Sequence, residues 1–97
     1  MRVLHLEKNH PTLIEGLQAL GFQNDAAYND SLKEIRAKID QYEGLIIRSK
    51  YPIDEDLLAR AKKLKFIGRV GAGLENIDVN AVESRNIHLL NAPEGNR

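Results

Sequence analysis

Residues 44–48 have the sequence GLIIR and residues 66–73 have the sequence FIGRVGAG, and these two stretches decide the fold. Each contains a short apolar run with branched side chains, which is typical of a strand covered on both faces of a sheet. Similar short runs occupy residues 3–6 and 87–90, and a weaker strand is indicated within residues 22–28. The sequence therefore predicts five strands.

Helical patterns fill the intervals between these strands. Pro11 suits the first turn of a helix, and the apolar residues after it recur at helical spacing as far as Gly21, which suits a left-handed helix end. Residues 31–34 predict a capping box for a second helix, and Asp54 and Asp78 predict N-caps for a third and a fourth. Strands that alternate with helices at intervals of about 20 residues predict right-handed βαβ units, a parallel sheet and an open, doubly wound α/β fold.

The composition narrows the class of protein. The chain has 97 residues, with 14 Lys and Arg against 14 Asp and Glu, is 42% apolar and contains no cysteine. This length predicts one domain, and the apolar content is too high for a disordered chain. The balanced charge gives no basis for non-specific binding to nucleic acid or an anionic membrane, and the lack of cysteine excludes disulfides and thiolate sites. With no apolar run long enough for a membrane span and no signal-peptide pattern, we expect a cytoplasmic protein.

Two polar segments follow predicted strands, at the carboxyl ends where doubly wound sheets bind ligands. One contains Arg48, Ser49 and Lys50, and the other is residues 69–76, RVGAGLEN. Glycines let successive backbone N–H groups point at one anionic oxygen, forming a nest that arginines can reinforce, but glycines also occur in tight turns for their dihedrals alone. The glycines do not decide between nest and turn. Arg48 and Arg69 together favour a site for a small anion.

The glycine pair within residues 71–73 also suggests a dinucleotide-binding turn. Such a turn needs a third small residue, so that helix and strand can pack closely, and Asn76 occupies that position. Glu94, at about the distance expected of a ribose-binding acid, lies between Pro93 and Gly95 rather than at the end of a strand. The sequence therefore disfavours a pyrophosphate site here.

Other polar groups have simpler structural explanations. His5 and His88 fall within apolar strands and are expected to be core or edge histidines, and His10 lies in a predicted loop. No histidine pair has metal-ligand spacing, so no metal site is predicted. The basic run at residues 60–65 is expected to be the solvated end of a helix rather than a nucleic-acid contact. From the residues alone, the sequence supports a binding surface for a small anion and no complete catalytic set.

Residues 66–78 (FIGRVGAGLENID) and residues 87–96 (IHLLNAPEGN), spaced as they are here, resemble the D-2-hydroxyacid dehydrogenase family. Residues 45–49 (LIIRS) resemble an earlier strand and loop of that family, and the whole chain is similar to its N-terminal substrate-binding domain. Within the family the likeness is greatest to the phosphoglycerate-specific members. The resemblance implies a flavodoxin-like domain of three layers (α/β/α). It also implies hydride transfer between NAD and the hydroxyl-bearing carbon of a D-2-hydroxy acid, in a cleft between two domains.

The resemblance implies roles for individual residues. Backbone N–H groups of residues 70–73 would hold the substrate carboxylate, and the two arginines would help to hold the anionic end of the substrate. Asn76 would shape the loop or bond to the substrate, and Asn96 would lie on a hinge near the nicotinamide. Tyr51 stands where threonine is common in the family. The implied substrate-binding residues are Arg48, Ser49, Arg69, Val70, Gly71, Ala72, Gly73 and Asn76.

The family's cofactor fingerprint, catalytic arginine and Glu–His acid–base pair would lie beyond Arg97. The resemblance thus implies that residues 1–97 form the substrate-binding domain of a longer enzyme, inactive alone, whose NAD is bound mainly by the missing domain. The implied enzyme is a cytoplasmic homo-oligomer that oxidises 3-phosphoglycerate in serine biosynthesis. One alternative is a relative acting on another 2-hydroxy or 2-keto acid. Another is a free-standing flavodoxin-like binding module, which is disfavoured because residues 6–7 and 48–49 provide no acidic pocket at the strand ends.

Overall fold

The five predicted strands form a single parallel sheet. The computed structural model describes residues 1–9, 11–48, 51–71 and 76–92. Its strands are β1 (Arg2–His5), β2 (Gln23–Ala26), β3 (Gly44–Ile47), β4 (Phe66–Val70) and β5 (His88–Ala92), in the order β2-β1-β3-β4-β5. The doubly wound α/β prediction is confirmed. The strand order reverses between β1 and β3, and this is where such folds leave a crevice for a ligand.

Helices connect the strands as the sequence predicts. They are α1 (Pro11–Ala19), α2 (Leu32–Lys38) with a 3-10 turn at Ile39–Gln41, α3 (Glu55–Arg60) and α4 (Val79–Ser84). Beyond α1, Gly21 adopts a φ of +91°, the conformation predicted for a helix end. No helix in the described part of the chain is both long and apolar enough to cross a bilayer.

The predicted N-caps are confirmed, whereas the end of α3 is not where the basic run indicated. Ser31 and Glu34 form a reciprocal capping box on α2, and the side chains of Asp54 and Asp78 accept hydrogen bonds from backbone N–H groups of α3 and α4. Helix α3 ends at Arg60, so most of the basic run at residues 60–65 lies beyond the helix. Ala61 and Leu64 are buried, and their burial draws the chain into the core directly after the helix.

The main hydrophobic core lies between the sheet and α2, α3 and α4. Alternate strand residues project to this side of the sheet and pack against apolar residues of the three helices. Helix α1 contributes no buried residue to the structure. Because the connection β1-α1-β2 runs across the sheet in the opposite direction from the later ones, right-handed crossovers place α1 on the other face. The residues of this main core with no exposed area are Leu4, Leu6, Ile35, Ile39, Leu45, Ile53, Ile67 and Val82, and Val3, which lies outside this cluster, is equally buried.

His5 is a core histidine, as expected. Its side chain is 1% exposed, and its Nε2 lies 2.8 Å from Oδ1 of Asn24. The Asn24 amide is oriented by a second hydrogen bond from its Nδ2 to the backbone oxygen of Phe22, so the neutral imidazole donates from Nε2. Burial lowers the pKa of His5 below its ordinary value, against the opposing effects of Asn24 and Asp25.

We expect acid to destabilise the fold through His5. Because its folded-state pKa lies below its unfolded-state value, the unfolded chain takes up the proton first. The free energy of unfolding should therefore fall as the pH drops below about 6.5, by at most ~1.4 kcal/mol per pH unit. His5→Gln, which keeps an N–H donor but does not titrate, should show a flatter dependence between about pH 7 and pH 5. Urea denaturation across this range measures the effect, and equal slopes for the two proteins would contradict it.

Gly44 is needed where β3 passes beside the ring of Phe66. The two residues are register partners, and a Cβ on Gly44 would lie 2.3 Å from Cζ of Phe66. The Phe66 ring also packs against Phe22, with 6.2 Å between the ring centroids. Any side chain at position 44 must therefore displace a ring that is already engaged.

Gly44→Ala should lower the free energy of unfolding by about 1–3 kcal/mol, because the Phe66 ring must move away from its contacts. Gly16→Ala is the matched control. A Cβ there meets nothing within 4 Å, and alanine favours the helix, so this variant should be more stable by about 0.5–1 kcal/mol. Chemical denaturation of both variants tests the pair, and a Gly44→Ala protein as stable as the parent would refute the packing argument.

Candidate functional site

The segment that follows β1 holds Arg48 at the end of β3. Oε1 of Glu7 accepts a hydrogen bond from the backbone N of Arg48 at 2.7 Å, and Oδ1 of Asn9 accepts one from Nη1 of Arg48 at 3.0 Å. These two strands flank the reversal of strand order. Both the backbone and the side chain of Arg48 are thus fixed at the crevice of the sheet.

Arg69 is a buried cation near the end of the neighbouring strand β4. Only 5% of the residue is exposed. Its Nε donates to Oδ1 of Asn76 at 3.2 Å, and its Nη1 donates to the backbone oxygen of Val70 at 3.2 Å. Such pairing is required, because a buried charge without hydrogen bonds is costly. Within the described ranges, no hydrogen bond uses Nη2 of Arg69.

The carboxamide of Asn76 joins the loops that follow β3 and β4. Its Nδ2 donates to the backbone oxygen of Arg48 at 3.2 Å and to that of Tyr51 at 2.9 Å, while its Oδ1 accepts from Arg69. The backbone oxygen of Asn76 also accepts from the N–H of Ile53 at 2.8 Å. Arg48 and Arg69 are therefore connected through one side chain.

Gly71 adopts a conformation that only glycine adopts readily. Its φ is +117°, and a Cβ would lie 2.9 Å from Nη1 of Arg69. Both the dihedral and the space beside Arg69 require the absence of a side chain. This conformation suits a nest and a tight turn alike, so the two interpretations remain open.

The structure brings together part of the predicted site. Arg48, Arg69, Val70 and Asn76 form one hydrogen-bonded network, and Gly71 adjoins it. The remaining predicted site residues lie outside the described residues; they are Ser49, Ala72, Gly73 and Asn96. Lys50, next to Ser49, and Glu94, the acid considered for a ribose contact, also lie outside them.

The chemistry of this network is that of anion binding. It contains two guanidinium groups, and a glycine-rich stretch of sequence that begins at Gly71 adjoins it and has backbone N–H groups that can act as donors. Among the residues placed by the structure, no group of three or more His, Asp or Glu side chains could hold a metal ion. The arrangement can hold and orient an anion.

The described residues do not fit a pyrophosphate-binding turn. Asn76 takes the position of the third small residue, and its carboxamide occupies the space between two loops instead of allowing a helix to pack closely there. Helix α4 begins only at Val79. The helix N-terminus that would receive a pyrophosphate is therefore displaced from the glycines.

Comparison with known proteins identifies the family. Residues 3–97 match the model of the D-isomer specific 2-hydroxyacid dehydrogenase catalytic domain. The chain belongs to this family. It is 35% identical over 96 residues to the D-3-phosphoglycerate dehydrogenase of Archaeoglobus fulgidus and 37% identical over 95 residues to that of Sus scrofa. These matches cover 99% and 98% of this chain but only 18% of each relative.

Solved structures of other proteins share the fold. The PH0520 protein of Pyrococcus horikoshii superposes with a TM-score of 0.86 at 26% identity, over 93% of this chain and 27% of that one. The NAD⁺-bound 3-phosphoglycerate dehydrogenase of Entamoeba histolytica gives a TM-score of 0.78 at 26% identity, over 94% of this chain and 32% of that one. This chain therefore corresponds to about a third or less of each of these proteins.

Glu7 and Asn9 were not predicted as site residues of this member of the 2-hydroxyacid dehydrogenase family. The glycine-rich motif directs a sequence-based search to β4, whereas these two residues follow β1, about 60 positions earlier. The fold class could have indicated them. In doubly wound sheets, polar residues that directly follow a strand next to the reversal of strand order lie at the ligand crevice. What the sequence does not supply is the register that pairs β1 with β3 and so brings Arg48 against them.

Asn76→Leu should destabilise the domain by about 2–4 kcal/mol, because it removes an acceptor of the buried Arg69 and leaves two carbonyl oxygens without their donor. Asn76→Asp is the informative companion. It keeps the acceptor for Arg69 but puts a carboxylate oxygen, in place of the N–H donors, against the backbone oxygens of Arg48 and Tyr51, so it should also destabilise the protein and its cost reports the loss of the donors. Urea denaturation gives both values, and two variants as stable as the parent would show that the bridge contributes nothing.

Proposed function

We propose that this chain is the substrate-binding domain of an NAD-dependent D-2-hydroxyacid dehydrogenase and that its substrate is 3-phosphoglycerate. The observation that carries the proposal is the pair Arg48 and Arg69, linked through Asn76 at the carboxyl edge of the sheet. An acid with a carboxylate and a phosphate needs several cationic or N–H donors at one place. The relatives named D-3-phosphoglycerate dehydrogenase support this choice of substrate.

In the proposed reaction, this domain binds and orients the hydroxy acid. Arg48 binds an anionic end of the substrate, and backbone N–H groups of the loop beginning at Gly71 hold the carboxylate. Arg69 stabilises that loop from beneath through Asn76 and Val70 and adds positive charge to the site. Binding the acid at both ends orients one face of its hydroxyl-bearing carbon toward the hydride acceptor. This orientation lowers the entropic cost of reaching the transition state.

NAD, when bound, accepts the hydride from the hydroxyl-bearing carbon. Because the described residues do not form a pyrophosphate turn, we propose that NAD and the catalytic acid–base groups belong to a second domain, so that this chain alone is inactive. The complete enzyme is proposed to be a cytoplasmic homo-oligomer of serine biosynthesis. A relative that acts on another 2-hydroxy acid is the alternative, and kcat/KM on phosphorylated and unphosphorylated acids distinguishes the two.

In the full-length enzyme, Arg48→Ala should raise the KM for 3-phosphoglycerate about ten- to a hundredfold with little change in kcat. A charge-assisted hydrogen bond contributes about 1.5–3 kcal/mol to binding. Its loss weakens binding of the substrate equally in the ground state and in the transition state, so KM rises and kcat does not change. Steady-state kinetics at saturating NAD measures the effect. The matched control is Arg36→Ala on α2, which removes an arginine ion-paired with Asp56 at 3.0 Å and should leave KM unchanged. An unchanged KM in Arg48→Ala would remove Arg48 from the site.

A further inference from the structure

We propose that Asn9 is a positioning residue that sets the specificity for anionic substrates: it holds the guanidinium of Arg48 with an uncharged acceptor. This inference rests on the proposed function, because it assigns Asn9 a role through Arg48. It adds a residue from the end of β1 to a site whose other members follow β3 and β4.

The geometry fixes which atom of Asn9 meets Arg48. Nδ2 of Asn9 donates to the backbone oxygen of Glu7 at 3.3 Å. The amide is thereby oriented, and its oxygen Oδ1 is left to accept from Nη1 of Arg48 at 3.0 Å. Oε1 of Glu7 also accepts a hydrogen bond from the backbone N of Arg48, so Arg48 is restrained both at its backbone and at its guanidinium. An arginine restrained in this way loses less side-chain entropy when an anion binds.

The chemistry of the acceptor matters as much as its position. A carboxylate at position 9 could accept the same hydrogen bond, and would bind the guanidinium more strongly. It would also place a negative charge beside the cation and repel an incoming phosphate or carboxylate. The carboxamide of Asn9 orients Arg48 without adding a second negative charge to that of Glu7, whose Oε1 already accepts from the backbone N of Arg48. Position 9 therefore controls how well the site attracts an anion.

The position of Asn9 in the fold supports a role in the site rather than in the core. It is half-buried, lies after β1 at the reversal of strand order, and belongs to no element of regular structure. Its hydrogen bonds connect the segment after β1 to the residue after β3, which are the two sides of the ligand crevice in this class of fold.

Two variants of the full-length enzyme test the proposal. Asn9→Ala should raise the KM for 3-phosphoglycerate roughly 3- to 10-fold with kcat nearly unchanged, because Arg48 loses its orientation. Asn9→Asp is almost isosteric and keeps the acceptor, yet it should raise KM more than Asn9→Ala does, by roughly 10-fold or more, because of the added charge. A purely structural role predicts the opposite order, with aspartate restoring the parent KM.

Both changes are then repeated in an Arg48→Ala background. There Asn9→Ala should alter KM by less than about twofold, since its effect passes through Arg48. Asn9→Asp should still raise KM there, because its charge repels the anion directly. Circular dichroism and urea midpoints check that every variant is folded. The proposal is overturned if Asn9→Asp has the parent KM, if Asn9→Ala has no effect, or if the effect of Asn9→Ala is undiminished without Arg48. If Arg48→Ala alone leaves KM unchanged, the proposed function fails as well. If Arg48→Ala raises KM and the Asn9 variants do not, only the role of Asn9 fails.

Discussion

The buried guanidinium of Arg69 imposes the constraint on which the site depends. A cation with 5% exposure must be hydrogen-bonded, and here Asn76 and Val70 supply the acceptors. The amide nitrogen of Asn76 donates to two backbone oxygens in the loop after β3, one of them that of Arg48. The side chain that accepts from Arg69 therefore also fixes the backbone of Arg48. The glycine at position 71 leaves the space that this guanidinium occupies. One buried charge thus ties two loops into a single surface.

The surface is assembled from three strands that are distant in sequence and adjacent in space. Glu7 and Asn9 follow β1, Arg48 follows β3, and Arg69 lies within β4. Parallel pairing makes this possible, since it brings the carboxyl ends of all three strands to one edge. Two arginines are therefore brought close together, with the carboxylate of Glu7 beside one of them, in a chain whose overall formal charge is zero.

Much of the fold follows from local signals in the sequence. The apolar run at residues 45–47 and the caps at Asp54 and Asp78 are determined by neighbours within a few positions, and the structure confirms them. Helix α3 is shorter than its charge pattern indicates, because burial of Ala61 and Leu64 overrides the pattern. Tertiary packing commonly overrides such weak local preferences.

The candidate site is less predictable, because its contacts join residues far apart along the chain. In the sequence, the main observation about Asn76 is that it occupies the position where a dinucleotide-binding turn needs a third small residue. In the structure it is the bridge between the two loops. The partnership of Asn9 with Arg48 spans 39 positions and depends on the register of β1 against β3. Neither fact can be obtained from the spacing of residues within one motif.

The position of a bound hydroxy acid tests the central claim most directly. A crystal structure of the full-length enzyme with 3-phosphoglycerate should place one anionic group within hydrogen-bond distance of the Arg48 guanidinium. The carboxylate should lie against backbone N–H groups of the glycine-rich segment that begins at Gly71. A substrate bound elsewhere, with no contact to the segments that follow β3 and β4, would contradict the account.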